Sequence, residues 1–301
     1  AAQPPLAPRG LDDRRTCQGV RGRRMSRIEL HCHSTASDGV LKPATLVQYA
    51  AECGVNVLAL TDHDTTDGVA EAQAAAKHLG IELIPGVEIN TEHPNGSLDI
   101  LGYWAPVTPG AFQDKIAELR EARVTRGQRM VERLNDLGMA VRWERVRELA
   151  DGAVGRPHVA RALVEDGYAH NISEAFDLYI GHGRPAYIPR PRFTAQEAVE
   201  FIRAHGGVPV MAHPVPARAQ NLDPFRLSEL LPELKRHGLA GIECYYGDYT
   251  EGTVRHLVSL ANRLSLIPAG GSDFHGPNMG AALGSTGLPT QSLARLRAAR
   301  T

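Results

Sequence analysis

His31 and His33 stand two residues apart at the end of the apolar run Ile28-Glu29-Leu30 and open the segment HCHSTASDG, which also carries Asp38. Side chains two apart on a strand point to the same side, so both imidazoles can face one ion while Cys32 turns away. Asp273 and His275 in GSDFH repeat the spacing, with Phe274 turned to the wall. One such pair is weak evidence, because a polar turn explains it about as well. The rest of the chain changes the balance. VLAL runs into TDHD with His63, IPGV into Glu88, PVM into AHP with His213, and GIE ends on Glu243 before CYY. Imidazoles and carboxylates without thiolates suit Mn²⁺, Zn²⁺ or Fe²⁺, and the candidates exceed the roughly four ligands of a single zinc site, so more than one ion is implied. A carboxylate such as Glu88 can bridge two cations, and a hydroxide held between them is a nucleophile at neutral pH. The chemistry this favours is hydrolysis, most naturally of a phosphoester.

Donors so far apart in sequence need elements that bring them together. From Arg27 short apolar runs alternate with amphipathic ones: RIEL, Pro43 to Cys53, VNVLAL, Asp67 to Leu79, IELIPGVEI. This is βαβαβ grammar. Pro43 suits a first helical turn, Gly54 and Gly80 suit positions just past a helix, and Asp67 suits an N-cap. LDILGYW supplies a fourth strand. From about Pro106 to Arg190 the pattern becomes helical throughout, starting with the long charged run from Ala111 to Leu137, and then βα alternation resumes at the capping box TAQE. About seven strands bracket one helical excursion. The carboxyl ends of parallel strands in an α/β barrel converge on one face, which is where these donors would meet.

With 301 residues, 43% of them hydrophobic, the chain can bury one large core or two ordinary ones, and a formal charge of −1 selects neither a DNA duplex nor a membrane as partner. No apolar run approaches the roughly 18 to 20 residues of a membrane span. Residues 1–24 lack the apolar stretch of a secretory signal and read as a disordered basic leader ahead of Met25, dispensable or an upstream extension. Cys17, Cys32, Cys53 and Cys244 form no C-x-x-C pair, which fits a reduced, cytoplasmic protein with Cys32 and Cys53 as small core residues.

HCHSTASDG, LTDHDTTDG, PGVEI, MAHP and GSDFH resemble, in order, the motifs of the PHP (polymerase and histidinol phosphatase) family of metal-dependent phosphoesterases, over roughly Arg27 to Pro289. The segments GRPHVARALV and GRPAYIP resemble the subgroup that hydrolyses nucleoside 3′,5′-bisphosphates, some of whose members trim short RNA from the 5′ end. The resemblance implies a distorted (β/α)₇ TIM-like barrel over residues 25–105 and 190–301, with an α-helical insertion over 106–189 that clamps substrate. It implies two or three divalent ions, usually Mn²⁺, with Zn²⁺, Fe²⁺ and Mg²⁺ as alternatives. His31, His33, Glu88 and Asp273 would hold the first ion, Glu88 and His213 the second, and Asp38, His63 and His275 the third. Glu88, His213 and Asp273 would be the catalytic set. Where the family commonly has a histidine before I-L-G of the fourth strand, this chain has Asp99, a carboxylate that can still ligate the second ion. Arg156, His158 and Arg184 match positions that contact substrate phosphate, a task for which a guanidinium fork is suited. A nucleotide with two phosphates would place one ester at the metals and the other on this clamp, with short 5′-phosphorylated RNA as a further substrate.

Other readings stay open at this point. Asp62 and Asp64 flank His63 and could fix its tautomer or cap the following turn. Glu243 could touch substrate or serve a structural hydrogen bond. A helix start at Pro157 explains Arg156 and His158 without any ligand, and the interleaved charges of 111–137 read as a solvated face rather than an RNA track. Competing functions are a histidinol-phosphate-type phosphatase, amide hydrolysis of the amidohydrolase type, and a metal-dependent nucleotide or RNA binding module.

Overall fold

The computed structural model describes residues 27–93, 96–150, 154–215 and 226–300, so the leader expected over 1–24 lies outside the described residues. The barrel's first half comprises β1 (Arg27–Glu29), α1 (Pro43–Glu52), β2 (Val55–Leu60), α2 (Val69–Leu79), β3 (Glu82–His93) and β4 (Gly96–Tyr103). The helical stretch follows as α3 (Ala111–Asp136), α4 (Trp143–Ala150), α5 (Arg156–Glu165), α6 (Ile172–Ala175) and a π-helical turn at Phe176–Ile180. The chain then returns through α7 (Ala195–Ala204), β5 (Val208–Met211), α8 (Leu227–Arg236), β6 (Gly241–Tyr246), α9 (Glu251–Arg263), β7 (Ile267–Gly271) and α10 (Thr290–Ala298).

Local signals place most of these boundaries. Pro43 opens α1, Gly80 ends α2 in the left-handed region at φ 68°, and Thr194 with Glu197 forms the capping box of α7. Asp67 is not the cap of α2: that helix starts after Gly68, and the Asp67 carboxylate is taken by Arg120 of α3.

The seven strands lie in sequence order in one sheet. A Cys32–Phe274 bridge brings the ends of β1 and β7 together, so the sheet nearly closes into the expected distorted barrel. The distortion is β4, which runs antiparallel to both β3 and β5. Only residues 94–95 separate β3 from β4, too few for the crossover that parallel strands need. Asp99 therefore enters from the first half of a reversed strand, opposite Asn90, and not from a carboxyl end.

Helix α3 spans two cores. Phe112, Ile116 and Leu119 pack with the barrel cluster around Val87, Ile100 and Ile202, whereas Met130, Val131 and Leu134 pack with Val146, Val159, Leu163 and Ile180 of the helices that follow. Between these apolar stretches the same face carries Arg123 and Arg126, both buried. Among the described cysteines, Cys32 and Cys244 are free and buried, and Cys53 is buried as well, so Cys32 and Cys53 are small core residues as expected. No helix among the described residues is long and apolar enough to cross a membrane.

Candidate metal centre

The strand ends bring the nine expected donors into three overlapping groups: His31, His33, Glu88 and Asp273; His33, Asp38, His63 and His275; and Glu88, Asp99 and His213. Within each group the ligand atoms lie within 4.8 Å of one another. Glu88 is at the centre. Its Oε2 lies 3.2 Å from His33 Nε2, 3.3 Å from His31 Nε2 and 3.2 Å from His63 Nδ1, and its Oε1 lies 3.1 Å from His213 Nε2. Asp273 Oδ1 closes the first group at 3.2 Å from His31 Nε2 and 3.1 Å from His33 Nε2. Asp38 joins His275 at 3.3 Å and His63 at 3.7 Å.

The donor set fits divalent cations. His31 Nε2 and His33 Nε2 face each other at 3.1 Å, an arrangement of two lone pairs that needs a proton or a cation between or beside them. Glu88 Oε2 and His63 Nδ1 are buried without a hydrogen-bond partner, which a buried polar atom rarely tolerates unless an ion or water completes it. Burial alone would lower the basicity of His31, yet the carboxylates of Glu243, Asp273 and Glu88 raise its pKa well above the usual value. His33 is likewise raised to about 10 and His213 to about 9, against burial, by the surrounding carboxylates. Burial opposes ionisation of Glu88, Asp273 and Asp38 as well, but the adjacent imidazoles hold all three well below the carboxylate range. A cluster this rich in mutually stabilised charge is one in which cations can replace the protons.

The outer partners of these donors were only partly legible in advance. Glu243 is fully buried and lies behind the cluster, with Oε2 3.1 Å from His31 Nδ1 while accepting the His213 backbone N–H at 2.8 Å. It orients two donors instead of facing the open side. Tyr246, three residues further along β6, donates its hydroxyl to Asp273 Oδ2 at 2.9 Å. Glu29, which carried no sequence signal beyond its place in an apolar run, accepts the backbone N–H groups of His31, Ser272 and Gly284 and so ties the first and last donor loops together. Asp62 and Asp64 do not hold His63. Asp62 accepts from Ser34 and Ser37, and Asp64 accepts from Arg123 at 2.5 Å and Arg190 at 3.0 Å.

Those arginines alter the expected clamp. Burial, and then the neighbouring guanidinium groups of Arg123, Arg190, Arg156 and Arg192, lower Arg126 to about 8. Asp64 answers Arg123 and Arg190, but Arg126 is 4% exposed and its Nε has no partner, as is also true of Arg190 Nε. Both line a cavity of about 380 Å³ with Glu118, Glu121, Thr125 and Arg129. Arg156 stacks its guanidinium 5.3 Å above the Phe176 ring and belongs to the group. His158 is buried, with Nδ1 accepting the Gly155 backbone N–H at 2.9 Å and burial lowering its pKa to about 4, so it is neutral and half committed to the start of α5. Arg184 is exposed on the turn after the π-helical segment. The reading of 111–137 as a solvated face therefore fails at Arg123 and Arg126, whose burial alternating charges do not reveal.

The chain is similar to several known proteins. The profile of the PHP domain matches residues 29–203. A 5′-3′ exoribonuclease of Haemophilus influenzae is 38% identical over 251 residues, covering 83% of this chain and 90% of the relative. A 3′,5′-nucleoside bisphosphate phosphatase of Chromobacterium violaceum is 32% identical over 258 residues, covering 85% of this chain and 90% of the relative. A crystal structure from Bifidobacterium adolescentis, named as a candidate metal-dependent phosphoesterase, superposes with a TM-score of 0.80 at 30% identity, over 92% of this chain and 97% of the other.

Proposed function

The chain belongs to the PHP domain family, and from that premise we propose that it removes the 3′-phosphate of nucleoside 3′,5′-bisphosphates, with short 5′-phosphorylated RNA as a second substrate trimmed from its 5′ end. The observation that carries the substrate class is the pair of buried, incompletely paired guanidinium groups, Arg126 and Arg190, the second of which reaches Asp99 of the donor cluster through Asn90. Two charge-bearing regions suit a substrate with two phosphates: one ester at the donors of Glu88, the other on the arginines, with Arg156 at the same group.

In this reading His31, His33, Glu88 and Asp273 hold one ion, Glu88, Asp99 and His213 a second, and Asp38, His63 and His275 a third, with Mn²⁺ the preferred metal. Bound there, divalent ions supply a nucleophile at neutral pH and neutralise charge gathering on the phosphoryl oxygens. The chain's own residues do the rest. Glu243 and the Asp273 carbonyl fix the ring orientations of His31 and His275 by holding their Nδ1 atoms. Arg126, Arg190 and Arg156 anchor the second phosphate by charge-assisted hydrogen bonds, which positions the reacting ester. The open cavity of about 380 Å³ beside them is large enough for the nucleoside portion or the next residue of an RNA, and a cytoplasmic location suits such substrates. Histidinol phosphate and cyclic amides have no use for this arginine group.

A phosphate-release panel tests the proposal. Adenosine 3′,5′-bisphosphate should turn over with Mn²⁺ and stop with chelator, while adenosine 5′-monophosphate and histidinol phosphate should release phosphate at least about 100-fold more slowly, as expected when a charged contact is unused. Equal rates on the monophosphates would sink it.

A further inference from the structure

The three donor groups are not equivalent. The first offers two imidazoles and two carboxylates, and the group at Asp38 offers three imidazoles and one carboxylate, His33 being common to both. The group at Asp99 offers only one imidazole, His213, beside two carboxylates, and one of those, Glu88, is already central to the first group. Only Asp99 and His213 are its own. Asp99 Oδ2 and His213 Nε2 are 3.9 Å apart, with side chains 13% and 27% exposed; His31, His33 and Glu88 are 0% exposed, whereas Asp38, His63 and His275 are 11%, 17% and 24% exposed, so exposure sets this position apart from the first group and its smaller donor number sets it apart from the group at Asp38.

Asp99 is also shared. Its Oδ1 accepts Asn90 Nδ2 at 2.5 Å, and Asn90 is oriented by Arg190, whose Nη2 lies 3.4 Å from Asn90 Oδ1. One oxygen, Oδ2, is left for an ion. Its three protein donors, two carboxylate oxygens and only one imidazole, are a harder set than either other group offers, and such a set suits Mn²⁺ and Mg²⁺, with the remaining positions left to water.

We propose that the Glu88–Asp99–His213 position is an exchangeable site for a hard divalent cation, held more weakly than the other two and with the smallest preference for Zn²⁺ over Mn²⁺. The inference rests on the metal-dependent reading of the cluster but not on any particular substrate. The other two ions stay with the protein as a resident pair, and this third one enters and leaves with the free metal concentration.

Metal counting without substrate tests it. Protein loaded with excess Mn²⁺ and assayed by plasma mass spectrometry should carry about three ions per chain, one for each donor group, and about two after desalting. Equilibrium titration should resolve a last step at least about tenfold weaker than the others, the scale on which even outer-shell changes move metal affinity. Asp99→Ala should abolish that weak step and leave the tight pair. Asp99→His should retain the third ion through desalting and raise its Zn²⁺-over-Mn²⁺ ratio. Asp38→Ala is the control and should remove an ion from the tight pair instead. If Asp99→Ala melts at a lower temperature, Asp99→Asn replaces it, keeping the shape while weakening the ligand. Three ions retained equally, or a weak step that survives in Asp99→Ala and Asp99→Asn alike, overturns the proposal. A chain with the expected metal pattern but no bisphosphate turnover would refute the functional reading alone, and turnover with three equally tight ions would refute this inference alone.

Discussion

Tyr246 illustrates how little a single side chain needs to touch to matter. Its hydroxyl donates to the Asp273 oxygen that faces away from His31 and His33, leaving the other oxygen aimed at them. Tyr246→Phe keeps the ring and removes only that bond. Metal affinity should fall about 10- to 100-fold with little change in the melting temperature of the metal-free chain, measured by metal titration and thermal melting side by side. Unchanged affinity would reduce Tyr246 to wall material. Glu243 and Glu29 act at the same scale, the first behind His31 and the second under the backbone of two donor loops. Each sits in an apolar run at a position that periodicity marks only as inward, so a buried acid there looks the same in sequence whether it meets substrate, a histidine or the backbone.

At the scale of an element, α3 is the informative one. Its apolar stripe serves the barrel at one end and the following helices at the other, and the interval between them buries Arg123 and Arg126. Arg123 is answered by Asp64, whereas Arg126 bears a buried charge with an unpartnered Nε. Exchanging such a residue for an apolar one of similar volume relieves a desolvation cost. Arg126→Met should therefore leave stability unchanged or higher while lowering kcat/KM for a nucleoside bisphosphate about 10- to 100-fold, the value of a charge-assisted contact. Urea unfolding and steady-state kinetics on the same preparation check both halves. A loss of stability with kinetics intact would make Arg126 structural. Asp67 is a smaller case of the same helix deciding a residue's role: its composition suits a helix cap, but Arg120 of α3 claims the carboxylate.

Across the whole molecule, folding and metal binding are linked through protons. Without metal, the raised pKa values of His33, about 10, and His213, about 9, stabilise the fold fully below the unfolded value of about 6.5, and this contribution is lost as pH rises through 9 to 10. Glu88, Asp273 and Asp38 are lowered, so their contribution is present above the ordinary carboxylate range and lost as pH falls below it. Ligation needs the imidazoles neutral, so cations compete with those protons and bind more strongly as pH rises. The melting temperature of the chelated chain should drop between pH 7 and 10, and the increase produced by Mn²⁺ should grow from pH 6 to 8. Differential scanning fluorimetry with and without chelator reads both trends. A metal-induced shift that shrinks over pH 6 to 8 would contradict the linkage.

What the amino-acid sequence determined by itself was whatever depends on local order. Strand and helix alternation, the capping box at Thr194, and donors two apart at successive strand ends follow from short-range geometry, and together they were enough to expect a barrel, a helical insertion and a multinuclear centre. Tertiary structure alone decided what depends on which side a residue meets. The reversal of β4 delivers Asp99 beside Asn90, Arg123 and Arg126 are buried within an otherwise ordinary charged helix, and Glu243 is withdrawn behind His31. The physical reason is common to all three. Burial and pairing are properties of neighbours distant in the chain, and a charge reads identically in sequence whether water, a counter-charge or a ligand will satisfy it.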